Sequence, residues 1–403
     1  MDPSMERPTP PLHASRWGLN PEITFLNHGS FGACPHEVLA AQAELRRRLE
    51  AQPVDFLTRQ APGLIDEARN TLADFLGADP AGLVFVPNAT TGVNAVLASY
   101  PFTAGDEVII TNHTYNACAN AARYWAERAG ASVKVASVPF PISNPAEVVE
   151  SIVAEIGPRT VLGLIDHVTS ETALVFPIEQ IADALHSRGV EVLVDGAHAP
   201  GMVPLNLETL TAAYYTGNCH KWLCAPKGAA FLSVRSDRRS QVRPVVISHG
   251  ANAPLDERSR FHQEFDWAGT ADPTPWLCVP EALRVMGSIA DGGWPGLMAA
   301  NHELVLNGRR MLVDALGIPE PAPPSMIGSI ATVPLPAGPG HPPGAFATDP
   351  LQDHLWSDHR IEVPILAWSG APHRQVRISA QCYNQPADYA ALAAALVAWH
   401  TPD

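Results

Sequence analysis

Lysine is scarce in this sequence, which contains only Lys134, Lys221 and Lys227 among its 403 residues. Basic residues are also outnumbered, with 26 Lys and Arg against 41 Asp and Glu and a formal net charge of -15 at pH 7. Because nucleic-acid binding requires clustered cations against the phosphates, this balance argues against a nucleic-acid partner. The one dense basic cluster, Arg46-Arg47-Arg48, falls on a predicted helix and is typical of a solvated face.

Long apolar runs and paired cysteines are missing as well. No stretch is long enough to span a membrane, and the N-terminal segment has neither region of a signal peptide, so we expect a cytoplasmic protein with no membrane partner. The six cysteines are scattered without a Cys-x-x-Cys pair, which is typical of reduced thiols. Cys219, His220 and Cys224 lie close together, but no second cluster has metal-ligand spacing, so no metal site is predicted.

The order of the predicted elements indicates an α/β protein. At 43.1 kDa and 46% hydrophobic residues, the chain can bury a large core and is expected to form two domains. Strand and helix patterns alternate up to about Val234, which favours a sheet with crossover helices. The predicted helices are 36–50, 61–76 and 177–188, and the predicted strands are 83–86, 107–111, 132–137, 160–165, 191–195 and 212–216.

The C-terminal part has a different pattern. A helical segment is predicted from Trp276 through Asn301 to Leu316, followed by the proline-rich stretch Pro319 to Pro343 and a mixed α+β end. Long loops in compact domains are often functional, so the segment 319–345 is predicted either to border the active site or to be a disordered tether.

Lys221 is the first candidate for chemistry. It follows the strand-like run Ala212 to Gly217, and the carboxyl ends of strands are where open α/β sheets place their active sites. An amine in that position suggests a Schiff-base nucleophile. A solvated surface charge is the alternative for a lysine beside a turn.

Asp195 is a suitable partner for that amine. It ends the apolar β-branched run Val190 to Val194, and a Gly/Pro-rich turn follows, which is typical of a buried parallel strand. If both strands belong to one sheet, the carboxylate and the amine of Lys221 face the same edge. Pyridoxal phosphate (PLP) needs this pair, an amine to bind the aldehyde and a carboxylate to keep the ring nitrogen protonated. Alternatively, Asp195 caps a helix or a turn.

A phosphate site is predicted further upstream. The segment 83–86 is predicted as a strand, 87–92 as a turn and the residues from Val93 as a helix, so that hydroxyls and amides of Thr90 and Thr91 meet at a helix start. Either threonine could equally be an ordinary N-cap.

Together these motifs resemble the class V aminotransferase family of fold-type I PLP enzymes, and within it the isopenicillin N epimerase group. The resemblance runs from about Phe25 to the C-terminus. The segments that carry it are Leu26-Asn27-His28-Gly29-Ser30-Phe31-Gly32, Pro53 to Pro62, Asn88-Ala89-Thr90-Thr91, Asp195-Gly196-Ala197-His198 and Gly217-Asn218-Cys219-His220-Lys221-Trp222-Leu223.

The resemblance implies an architecture and an assembly. It predicts an N-terminal arm (1–26), a large PLP-binding domain (27–272) with a mainly parallel seven-stranded sheet, and a smaller α+β C-terminal domain (273–403). Thr270 would reach the phosphate of a neighbouring subunit, which implies a homodimer with shared active sites.

It also implies roles for individual residues. Lys221 would hold PLP as a Schiff base, Asp195 would pair with the ring nitrogen and His198 would lie near the phenolic oxygen. Thr90, Thr91 and His220 would contact the phosphate. Asn218 stands where cysteine desulfurases often carry a serine, so one phosphate contact is in question.

Two rings compete to cover the cofactor, and one arginine anchors the substrate. His113 and Tyr115 are both candidates for the stacking ring and for a second proton donor, and the sequence does not separate them. Arg377 matches the family's anchor for the substrate α-carboxylate, with Arg374 as the decoy. Asn27 and His28 are predicted to help bind the substrate.

The predicted activity is PLP-dependent chemistry at the α-carbon of an amino acid or peptide-like substrate, with epimerisation the leading reaction by resemblance. The alternatives are a C–S β-lyase or a cysteine desulfurase-like enzyme on a cysteine-derived substrate, and a PLP-binding protein without catalysis. A persulfide-forming desulfurase is disfavoured because the segment 333–350, where a sulfur-accepting cysteine is expected, contains none.

Overall fold

The computed structural model describes residues 13–254, 258–338, 347–368 and 373–400. Twelve strands are present in these ranges. In chain order they are β1 Thr24–Phe25, β2 Leu83–Val86, β3 Glu107–Thr111, β4 Ser132–Ala136, β5 Thr160–Asp166, β6 Glu191–Asp195, β7 Tyr214–Asn218, β8 Ala230–Val234, β9 Ile330–Pro334, β10 Ile361–Glu362, β11 Ile365–Ala367 and β12 Arg374–Ser379.

Fourteen α-helices lie between and after these strands in the described ranges. They are α1 His28–Phe31, α2 His36–Ala51, α3 Pro53–Asp55, α4 Ala61–Leu76, α5 Ala89–Ser99, α6 Asn116–Arg128, α7 Ala146–Ala154, α8 Ile178–His186, α9 Arg260–Asp266, α10 Thr274–Leu277, α11 Val279–Gly287, α12 Gly293–Leu316, α13 Pro350–His359 and α14 Pro386–His400. A π-helical turn, Phe56–Gln60, connects α3 to α4.

A seven-stranded sheet with the order β2-β8-β7-β6-β5-β3-β4 forms the centre of the molecule. The five strands from β7 to β4 are parallel, whereas β8 runs antiparallel to both β7 and β2. The predicted α/β fold with a mainly parallel seven-stranded sheet is therefore confirmed. Its strands are apolar along most of their length because helices cover both faces.

Alternate residues of each strand enter two separate hydrophobic clusters. Along β2, for example, Leu83 and Phe85 pack into one cluster, while Val84 and Val86 pack into the other. Because successive strand side chains point to opposite faces, the sheet divides the core into two layers. The carboxyl ends of β3, β5, β6 and β7 consequently meet at one edge, which is free for chemistry.

Most predicted bounds agree with the structure, with three corrections. The strand predicted at 212–216 lies at Tyr214–Asn218, and the strand β8 was not among the predicted runs. The helix predicted from Val93 begins at Ala89, because the side chain of Asn88 caps it.

The C-terminal part contains a three-stranded antiparallel sheet in the order β11-β12-β9. The alternative of a disordered tether at 319–345 is wrong for the described residues of this segment, since β9 is a buried strand within it. That the segment borders the active site stays a prediction. Residues 339–345 lie outside the described residues. The helical segment predicted from Trp276 to Leu316 is divided into α10, α11 and α12.

The predicted N-terminal arm ends in contact with the C-terminal part. Residues 1–12 lie outside the described residues, but β1 pairs in parallel with β10. The division into arm, large domain and small domain stays a prediction. None of the described helices combines the length and the apolar character that a membrane crossing requires.

Candidate active site

A cavity of about 430 Å³ opens at the carboxyl edge of the central sheet. It lies beyond the ends of β5, β6 and β7 and beside the start of α5. Six of the predicted site residues line it, namely Thr90, Tyr115, Asp195, His198, His220 and Lys221. The other lining residues are Ser30, Phe31, Pro87, Asn88, Ala89, Asp166, Val168, Ser170, Ala197, Asn218 and Gly228.

The amine of Lys221 contacts the ring of His198, with 3.0 Å between Nζ and Nε2. The indole of Trp222 donates to Nδ1 of the same ring at 3.4 Å. A neutral imidazole that accepts at Nδ1 carries its proton on Nε2, so this N–H donates to Nζ, which accepts only as an uncharged amine. Burial, assisted by the charge of Arg377, lowers the pKa of Lys221 to about 7, in agreement with this arrangement.

Asp195 is held with its carboxylate buried at the end of β6. Its Oδ2 accepts from the thiol of Cys118 at 3.0 Å, and its Oδ1 accepts from the amide of Ala197 at 3.0 Å. The second contact is the local turn role that the sequence left open, but the side chain also lines the cavity. Burial raises the pKa of Asp195, which means that a carboxylate in this position requires a cationic partner.

Asp166 is a cavity residue that the sequence analysis did not identify. It ends β5 and lies in register with Asp195 on the neighbouring parallel strand. The signal was available, since Val161 to Ile165 is a largely apolar strand run that ends in an acid, the same pattern that identified Asp195. Two carboxyl groups therefore face the same cavity.

Two asparagines of the cavity hold the predicted phosphate site at the start of α5, which we call the phosphate corner. Asn88 accepts from the amide and the hydroxyl of Thr91, at 2.9 and 3.0 Å, and so caps α5. Asn218 accepts from the amide of Ala89 at 2.9 Å, so this residue holds the helix start in place. Thr90 and His220 face the cavity, whereas Thr91 faces a second cavity described below.

The α5 N-terminus can approach the sheet because position 92 has no side chain. A Cβ on Gly92 would lie 2.2 Å from Oγ1 of Thr216 on β7. The close approach brings the positive end of the helix dipole to the cavity, which suits a phosphate.

The structure separates the two candidate rings. Tyr115 lines the cavity and is 43% exposed. His113 is 1% exposed and bonds through its ring nitrogens to Thr172 and to the carbonyl of Val138, at 2.6 and 3.1 Å. Its ring also packs on Trp368. Tyr115 is thus the ring with access to the cavity, while the roles of both stay predictions.

The two arginines of β12 have different partners. Arg374 forms a buried ion pair with Asp349, so its charge is already compensated. Arg377 is also buried, but its guanidinium donates to the carbonyl of Ser170 at 2.8 Å and to the hydroxyl of Ser30 at 3.0 Å. Both serines line the cavity, which leaves Arg377 as the arginine beside it.

Asn27 and His28 do not line the cavity but contact two residues that do, Ser30 and Lys221. Asn27 donates to Glu362 and accepts from Ser30, while His28 bonds to Tyr383 at 2.7 Å and to the carbonyl of Lys221 at 3.0 Å. In this structure the cavity is lined instead by the following residues of the same segment, Ser30 and Phe31.

Thr270 lies in a second cavity, of about 490 Å³, on the other side of the β2–α5 turn. Pro87 lines both cavities, so they are neighbours. We call this second site the Thr270 cavity; its lining includes Thr91, Val245, Val246, Phe265 and Thr270. Among the described residues, Thr270 therefore lines the second cavity and not the cavity that contains Lys221.

The family model "Aminotransferase class-V" matches residues 25–293. The chain belongs to this family. It is similar to isopenicillin N epimerase of Amycolatopsis lactamdurans, with 36% identity covering 94% of this chain and 95% of that protein. L-cysteine desulfhydrase of Arabidopsis thaliana is 30% identical, covering 91% and 86% of the two chains.

A solved structure with the same fold confirms the architecture. It is a mutant of the cystine lyase C-DES with glycine linked covalently to its PLP cofactor, at a TM-score of 0.76 and 21% identity, covering 93% of this chain and 96% of that one. The present chain is accordingly a PLP-dependent enzyme of fold type I.

The residues of the cavity fit PLP. Lys221 supplies an uncharged amine, Asp195 a buried carboxylate and the start of α5 a phosphate corner. Among the described residues, no group of three or more His, Cys, Asp and Glu side chains could hold a metal ion.

Proposed function

We propose that this enzyme inverts the α-carbon of an amino acid or peptide-like substrate, in the manner of an isopenicillin N epimerase. The observation that carries the proposal is the position of two proton carriers in one cavity. Lys221 follows β7 and Tyr115 follows β3, and the strands β6 and β5, which end in Asp195 and Asp166, lie between them. A substrate above β6 would therefore have a proton carrier on each side.

The protonation states suit complementary roles. With its pKa lowered to about 7, Lys221 is available as a base at neutral pH. Burial raises the pKa of Tyr115, so its phenol stays protonated and can donate. When bound, PLP supplies an electron-accepting ring that acidifies the α-proton. Arg377 would bind the substrate carboxylate, and His198 would hold the phenolic side of the cofactor.

A second candidate is β-elimination on a cysteine-derived substrate. The similarity to an L-cysteine desulfhydrase supports this reaction, which needs Lys221 but no proton donor on the opposite face. A persulfide on Cys118 has less support, because burial raises the pKa of that thiol and its proton is shared with Asp195. A non-catalytic PLP protein would not require Lys221, Asp195 and Arg377 around one cavity.

The substitution Tyr115→Phe tests the leading reaction. In heavy water, the variant should still exchange the α-proton through Lys221 but should form the opposite enantiomer about 100-fold more slowly, the usual contribution of a general acid. Lys221→Ala should lose both processes. Tyr124→Phe, at an exposed tyrosine on α6, serves as the matched control.

The products separate the two candidates. Racemised amino acid with deuterium at the α-carbon supports epimerisation, whereas pyruvate and released sulfide from cysteine, without racemised product from any amino acid, support elimination. Undiminished inversion by Tyr115→Phe would show that another group delivers the second proton.

We also infer a homodimer. The Thr270 cavity is largely apolar. Val245 and Val246 in its lining and Ile247 after them are about half exposed, at 47, 56 and 56%. Exposed apolar patches of this kind mark interfaces. A second copy covering this surface would bring Thr270 toward the partner's phosphate corner. The six free cysteines support a reducing compartment such as the cytoplasm.

A further inference from the structure

The carboxyl group of Asp166 has no role in the reaction as described so far. Asp166 is 2% exposed, lines the active-site cavity and carries an oxygen, Oδ2, without a hydrogen-bond partner in the described ranges. Its other oxygen accepts from the amide of Tyr115 at 3.3 Å. A buried, unpartnered carboxyl oxygen is costly, so it indicates a partner that arrives with a ligand.

Asp166 and Asp195 are in register on adjacent parallel strands, so their side chains leave the same edge of the sheet. Cys118 and Ala197 occupy both oxygens of Asp195 through one contact each. Two buried carboxylates side by side repel each other unless one is protonated or a cation lies beside them.

Few positive charges lie in the cavity to offset the carboxyl groups of Asp166 and Asp195. Among its described lining residues Lys221 is the one lysine or arginine, and its amine is uncharged in the pairing with His198. Burial lowers the pKa of His198 and His220, so both rings are neutral at pH 7. The other groups that face Asp166 are the carboxyl groups of Asp195 and Glu171, the thiol of Cys118 and the hydroxyl of Thr114, none of which is cationic.

We propose that Asp166 is a second carboxylate for the cofactor ring, protonated in the empty protein and ionised when the cationic ring of PLP is bound. The step is a proton transfer only: the Asp166 O–H bond breaks, its proton leaves to solvent, and the carboxylate keeps the electron pair. The pair of acids would then hold the pyridinium jointly, with Asp195 as its direct partner.

The affinity of the apoprotein for PLP is expected to rise with pH. Burial and the charge of Asp195 raise the pKa of Asp166 well above its ordinary value in the empty protein. The ring cation opposes this shift, so binding of PLP releases a proton from this residue. Release of one proton makes the affinity rise with pH, by up to about tenfold per pH unit.

The experiment measures PLP binding to the apoprotein by calorimetry in buffers of different ionisation enthalpy. Asp166→Asn keeps a carbonyl oxygen for the Tyr115 amide and removes only the titratable group. The wild-type protein should release about half a proton more per site than the variant near pH 7 and close to one proton more near pH 8. The variant should bind PLP about tenfold more weakly at pH 8 but with nearly equal affinity at pH 6. Asp314→Asn, at an exposed position on α12, should match the wild type.

Equal proton counts for the wild type and Asp166→Asn would overturn the proposal, because Asp166 would then keep its proton, or lack it, in both states. Thermal melting followed by circular dichroism establishes that the variant is folded. Since only cofactor binding is measured, the result does not depend on whether the enzyme epimerises or eliminates.

Discussion

Burial sets the protonation states of the residues around Lys221. Desolvation disfavours the charged form of every group, so it lowers the pKa of an amine or an imidazole and raises the pKa of a carboxyl or a phenol. Lys221 and His198 are shifted in the first direction, and Asp195 and Tyr115 in the second. The result is an amine that is available as a base, a phenol that keeps its proton, and a buried carboxyl group, that of Asp195, whose ionised form a cationic cofactor ring would stabilise.

The pH dependence of cofactor loading tests the state of Lys221. Only the uncharged amine attacks the PLP aldehyde, so the rate at which the visible absorbance band appears should rise about tenfold per pH unit below pH 7 and level off above it. An ordinary lysine, with a pKa near 10.5, would give a rate that still rises at pH 9. Lys227→Ala should keep the wild-type profile, and Lys221→Ala should show no band.

Among individual residues, the sequence predicts those whose position in the fold follows from the local sequence pattern. Lys221 and Asp195 each follow a strand, and strand ends are visible in a single sequence. The sequence does not separate His113 from Tyr115, because both lie in one turn. Only tertiary packing distinguishes them, since it buries the His113 ring against Trp368. The contact of Arg377 with the cavity depends on Ser30 and Ser170, which are far away in the chain.

Among the elements, α5 matters most to the cofactor because its first turn forms the phosphate corner. Its position depends on contact between Gly92 and Thr216, whose hydroxyl donates to the carbonyl of Phe231 at 2.7 Å. Any side chain at position 92 would displace either the helix or this hydroxyl. The geometry of the phosphate corner is therefore coupled to the packing of α5 on β7.

Two glycine-to-alanine substitutions in helices should have opposite effects. Gly92→Ala places a Cβ 2.2 Å from Thr216 and should destabilise the apoprotein by about 1–3 kcal/mol, with weaker PLP binding as well. Gly63→Ala, on α4, meets no atom within 4 Å and should stabilise by up to about 1 kcal/mol through helix propensity. Thermal unfolding midpoints of the apoproteins measure both. A Gly92→Ala variant as stable as the wild type would contradict the close packing of α5.

Elements were predictable where their pattern was strong and local. The apolar runs of β2, β3 and β6 indicate their bounds directly, because strands that are covered on both faces are apolar along most of their length. The strand β9 was hidden by the prolines on either side of it, and its pairing with β12 supplies the order that a single sequence does not show. The sequence predicts the start of α5 at Val93, whereas the helix begins at Ala89, because Asn88 rather than a threonine is its N-cap.

At the level of the whole molecule, Thr270 could contribute to the phosphate corner of its own chain or to that of a second copy in a dimer. Thr270 is exposed and lines the Thr270 cavity together with Thr91, apart from the cavity of its own Lys221. Homodimers are usually closed by a two-fold axis, so a residue given to the partner's site is received in return. Each active site would then be complete only in the dimer.

Mixing two inactive variants tests this exchange. Lys221→Ala cannot bind PLP covalently, and Thr270→Asp should repel the phosphate at the site that position 270 serves. In a mixed dimer, one site would combine an intact Lys221 from one copy with an intact Thr270 from the other. Dissociation and reassociation of an equimolar mixture should restore the visible PLP band to about a quarter of the wild-type intensity. Thr209→Asp, at an exposed threonine remote from both cavities, should load PLP normally. If Thr270 instead serves its own subunit, no pairing of the two variants contains an intact site, and the mixture should stay colourless.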